Sequence, residues 1–136
     1  MTDAERQLLA DVRRKLLHLH KTLLDWERAA YDRAHGRTPP GQLLRIVMTD
    51  AQFAWLRPVS ELIVRIDESL DMEVPDAPID VEGIIAQARS IVAPEGDSVY
   101  AQRYHAALQE HPDAVLAHGA VAAVLKGAPR PSERIH

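Results

Sequence analysis

The chain has 136 residues with a net charge of −4, 46% hydrophobic and 26% charged residues, which is the balance of one ordinary globular domain with a core of its own. The acidic balance excludes the basic footprint of a nucleic-acid binder and the polybasic patch of a membrane anchor. Cysteine is absent, so disulfides, thiol nucleophiles and thiolate metal ligands are excluded.

The N-terminus opens Met1-Thr2-Asp3-Ala4-Glu5-Arg6, acidic and without an apolar stretch of signal-peptide length. No window reaches the apolar run of a membrane span. A cytoplasmic protein without a membrane segment is expected.

Helical periodicity starts at once. Thr2 with Glu5 reads as a capping box. Leu8, Leu9, Val12, Leu16, Leu17, Leu19, Leu23, Leu24, Trp26 and Ala30 then recur at three-and-four spacing, and Gly36 supplies the stop. This predicts one first helix roughly 50 Å long, the length of a whole bundle.

Thr38 and Pro39 predict the cap and first position of a short helix over Gln42 to Met48. Thr49-Asp50-Ala51-Gln52 is a second start signal. The next helix carries Phe53, Trp55, Leu56, Val59, Leu62, Ile63, Ile66 and Leu70, with Pro58 forcing a kink or a fresh first turn. Phe53 and Trp55 read as core rather than as an exposed anchor. Arg57, Glu61, Arg65 and Glu68 read as a solvated ladder.

Met72 to Ile79 breaks the pattern with two prolines. Asp80 caps a compact helix with Val81, Ile84, Ile85, Ala88, Ile91 and Val92 on one face. Pro94-Glu95-Gly96-Asp97 is a turn, and Ser98 caps a final long helix to about Lys126, with a bend expected at Pro112. The expected fold is all-α, an up-down bundle of four to five helices over residues 1–127, with 128–136 as a flexible tail.

Polar residues inside the apolar arcs are the candidates for chemistry. Arg13, His20 and Glu27 stand seven apart on the first helix, along one seam. The last helix places Tyr100, Tyr104, Leu108, His111, Val115, His118, Ala122 and Leu125 along another. If the two helices are neighbours, His20, Glu27, His111 and His118 meet, and a carboxylate among imidazoles is the raw material of a transition-metal site. His20, Glu27, Tyr100 and Tyr104 would line a small-ligand pocket instead.

The plainer expectation is that such residues fix register by hydrogen bonding. The tyrosines would then be amphipathic rings with hydroxyls reaching water. Glu-x-x-His pairs, His-x-x-x-His and His-Glu-x-x-His are all absent, and Pro112 would turn His111 out of the seam. No cofactor is therefore called for. His18 faces away from the arc, and His105 lies off the seam.

Trp55-Leu56-Arg57-Pro58, Glu61-Leu62-Ile63, Ile66-Asp67-Glu68 and His18-Leu19-His20-Lys21 resemble small uncharacterised all-helical proteins of bacteria. That resemblance implies an all-helical fold and no activity or site residue. No phosphate loop or nucleophile elbow is present. The expectation is a non-enzymatic interaction or scaffold module, a homodimer through its wide apolar face, with a protein partner as a further occupant. The alternative is a metal- or small-ligand-binding bundle.

Overall fold

A computed structural model describes residues 1–71 and 79–128. Six α-helices occupy them: α1 (Asp3–His35), α2 (Pro40–Thr49), α3 (Arg57–Leu70), α4 (Val81–Val92), α5 (Val99–Glu110) and α6 (Pro112–Lys126), with a 3-10 segment, Ala51–Leu56, ahead of α3. The protein is all-α, and α1 is the post around which the bundle is built. It packs most extensively on α6 and α3, and also meets the 3-10 segment, α4 and α5.

The local signals act as the sequence requires. Thr2 and Glu5 form the reciprocal capping box. Gly36, at φ 82°, ends α1 with its N–H on Asp32 O; at positive φ a side chain would crowd the backbone. Asp50 Oδ1 accepts Gln52 N at 2.8 Å and starts the 3-10 segment. Pro58 then lies in the first turn of α3, where its missing N–H costs no helical bond. Asp80 and Ser98 cap α4 and α5 through Gly83 N and Ala101 N.

Five expectations need correction. The last helix is two helices: His111, at φ −126° and ψ 103°, stands extended between α5 and α6. Pro112 disfavours the helical conformation for the residue before it, and here the expected bend is a break, so the helix count exceeds five. The phase changes there as well. Val115 is exposed, while Ala114, Ala117, Val121 and Leu125 are buried. Leu17 on α1 is exposed too. Thr38 is no helix cap; it is buried, with its hydroxyl on Asp32 Oδ1, and Pro39 takes the cap position. Arg65 leaves the solvated ladder to bond Gln87 on α4.

The expected break over Met72–Ile79 falls almost wholly outside the described residues, as does the tail beyond Ala128. Ala128 itself is buried, and its carbonyl, with that of Leu125, accepts from Arg89 Nη2. Helix α2 contributes no buried residue. Leu16, in contrast, is fully buried in the core. Leu16→Ala is expected to cost about 2–5 kcal/mol, and Leu44→Ala on α2 less than about 0.5 kcal/mol. Urea denaturation of both variants checks the difference.

Candidate functional site

Glu27 is the most deeply buried charged residue described, at 1% exposure. A carboxylate there needs donors from elsewhere, because unpaired burial of an ion costs several kcal/mol. Three arrive from two other elements. Trp55 Nε1 donates to Oε1 at 2.7 Å, and Gln52 Nε2 to Oε2 at 3.3 Å, both from the 3-10 segment. Arg103 Nη2 on α5 completes the set with a 2.7 Å ion pair to Oε2. The Arg103 guanidinium also lies over the Trp26 ring, 4.5 Å from its centroid, a cation–π contact. Trp26 Nε1 donates in turn to Glu110 Oε2 at 3.0 Å.

This network floors a cleft of about 580 Å³ between the 3-10 segment and the start of α5. Its walls are largely apolar, with Ala54, Pro58 and Val99 at the sides and Trp55 and Tyr100 beside Glu27 and Arg103. The volume lies within the range of roughly 300–1,000 Å³ found for small-molecule sites. The rings of Trp55 and Tyr100 stand 5.9 Å apart, and those of Tyr100 and Tyr104 stack at 5.6 Å.

Of the ligand set expected from sequence, Glu27 and Tyr100 line this cleft, whereas His20 and Tyr104 do not. The tyrosine hydroxyls bond within the protein. Tyr100 Oη donates to Ile91 O at 2.7 Å, and Tyr104 Oη lies 2.7 Å from Nδ1 of His118. Burial raises both phenols well above the ordinary tyrosine range, and for Tyr100 the neighbouring Tyr104 adds to it. Neither serves as a base near neutral pH.

The metal set does not assemble. Glu27 is committed to its three donors and His118 to Tyr104. His111, at the break before Pro112, lines a separate surface hollow with His18, Lys21 and Asp25. Among the described residues no group of three or more His, Cys, Asp or Glu side chains is placed to hold a metal ion. The cause is the phase change at Pro112, which divides the seam on which the four-residue reading depended. Arg13, the third residue of the α1 seam, pairs with Asp67 on α3.

Sequence reasoning missed Gln52 and Arg103 and took Trp26 and Trp55 as core packing alone. Both tryptophans are buried, and a buried indole N–H needs an acceptor. Two tryptophans and one seam glutamate were the available signal.

No protein-family model, no curated protein and no solved structure matches the chain.

Removing the Glu27 carboxylate would leave three donors without their acceptor. Arg103 keeps about a third of its side chain in water, which softens the loss. Glu27→Ala is therefore expected to destabilise the fold by about 2–4 kcal/mol, read as a lowered urea midpoint, with Trp55→Phe costing about 1–2 kcal/mol.

His20 and His118 supply a pH dependence. Burial lowers the pKa of each below 6.5, and for His118 the nearby His105 adds to the lowering. The unfolded chain then binds more protons than the folded one between the folded and unfolded values. The stability from these neutral imidazoles is present above about pH 6.5 and is lost as pH falls through the folded values. Urea midpoints at pH 7.5 and pH 5 should show that fall, and His20→Gln with His118→Asn should flatten it.

Proposed function

We propose that this chain is a non-enzymatic ligand-binding bundle, and that its binding site is the cleft over Glu27. The observation that carries the reading is the combination of an apolar-walled cleft of about 580 Å³ with a floor of convergent polar side chains held in place from three elements. Largely pre-formed concave sites with a few placed polar groups are how small molecules are bound. The chemistry of the floor favours binding over turnover. Glu27 is engaged by three donors from the protein, and Tyr100 is held protonated with its hydroxyl on a backbone carbonyl.

The two tryptophans of the chain, Trp26 and Trp55, both belong to the Glu27 network. Intrinsic fluorescence therefore reports directly on this site. Titrating a panel of small anionic, neutral and cationic organic compounds is expected to yield saturable changes in tryptophan emission. Ala54→Leu, which fills the cleft wall, should weaken them at least several-fold. No response to any compound, or equal binding to the filled variant, would sink this reading.

Self-association is a second reading, favoured by α2. Leu44 and Met48 stand one turn apart on that helix, 72% and 65% exposed. A homodimer of cytoplasmic chains would cover them. Sedimentation at micromolar concentration should then show a dimer that Leu44→Glu dissociates, while a monomer throughout removes this reading.

A further inference from the structure

The hydrogen-bonding capacity left over in the cleft is unequal. Glu27 has already accepted three donors. Tyr100 has spent its hydroxyl proton on Ile91 O. Arg103 carries five N–H donors, yet its single hydrogen bond to protein among the described residues is the one from Nη2 to Glu27. The ion pair and the contact over Trp26 hold the guanidinium in place, and the side chain remains 36% exposed where it lines the cleft. What Arg103 offers an occupant is a held, planar set of donors, the geometry that suits a carboxylate.

The setting agrees with an anion. Val99, Tyr100 and Arg103 come from the first turns of α5, a helix of 12 residues, and the electropositive end of a helix favours negative charge nearby. The walls at Val99, Pro58 and Ala54 present carbon and no competing acceptor side chain. One end of the occupant is therefore acidic and the rest apolar.

We propose that the cleft takes a small organic carboxylate, its anionic head on the outer N–H groups of Arg103 and its apolar body along Val99, Pro58 and Ala54. This rests on the cleft being the binding site, and the test separates the two ideas. Phenylpropanoate, phenylpropanamide and phenylpropylamine share a body and differ in the head. Each is titrated into the full chain, followed by tryptophan emission and by the backbone amide resonances of Ala54, Val99 and Arg103.

The acid is expected to bind about ten-fold or more tightly than the amide, with the amine weakest. Arg103→Lys keeps the charge and loses the planar fork, and should weaken the acid several-fold. Because that change also touches the Glu27 pair, Val99→Glu is the second variant. Val99 is 68% exposed, so the fold tolerates the change. A carboxylate at the cleft mouth should weaken acid binding about ten-fold more than it weakens amide binding. Equal or tighter binding of the amide or the amine overturns the carboxylate class and leaves the cleft as a ligand site. Acid binding that ignores Val99→Glu places it elsewhere and overturns the proposal. If none of the three compounds moves either signal, the carboxylate class and the cleft fall together.

Discussion

The carboxylate of Glu27 is the constraint on which one end of the bundle depends. It lies inside the apolar arc of α1, where an ion without partners would cost several kcal/mol, a large part of a small domain's total stability. The three donors that satisfy it come from segments remote in sequence, Gln52 and Trp55 on the 3-10 segment and Arg103 on α5. Any arrangement that separates those segments from α1 leaves the charge stranded. The pairing thus selects one packing of α5 and of the 3-10 segment against the post, a role of register and specificity more than of net stability.

The same network sets what the protein offers to solvent. Tying the 3-10 segment and the start of α5 to a common buried group holds them apart at a fixed spacing, and the space between them is the cleft. Its floor is the hydrogen-bonded network, and its walls are apolar because the faces of these segments are made of alanine, proline, valine and aromatic rings. Arg103 belongs to both parts. Its Nη2 completes the buried pair, and its side chain, 36% exposed, also lines the cleft. The proposed ligand chemistry follows from which Arg103 donors the fold leaves unused.

Tyr104 is fully buried and meets His118 across the α5–α6 break. His20 and His118 both remain neutral more readily than free histidine because burial disfavours their charged forms. These groups tie stability to pH without forming a metal centre. Arg89 closes the end of α6 by donating to the carbonyls of Leu125 and Ala128, beyond the last intrahelical bonds.

Sequence by itself determined the elements. The all-α class, the bounds of α1 from Thr2 to Gly36, the restart at Asp50 and Pro58, and the caps at Asp80 and Ser98 are local matters. They depend on hydrogen bonds and dihedral preferences within a few residues. Sequence also singled out Glu27 and Tyr100, because a polar residue on an apolar face stands out in the periodicity. Only the tertiary structure decided what those residues meet. A helical phase is lost at a break, so the displacement of the α6 seam past Pro112, and with it the separation of His111 and His118 from Glu27, follows from a backbone geometry that periodicity does not carry. The choice of Trp55, Gln52 and Arg103 as partners is likewise nonlocal: hydrogen bonds across 25 to 76 residues of chain are fixed by packing, which spacing along the sequence does not encode.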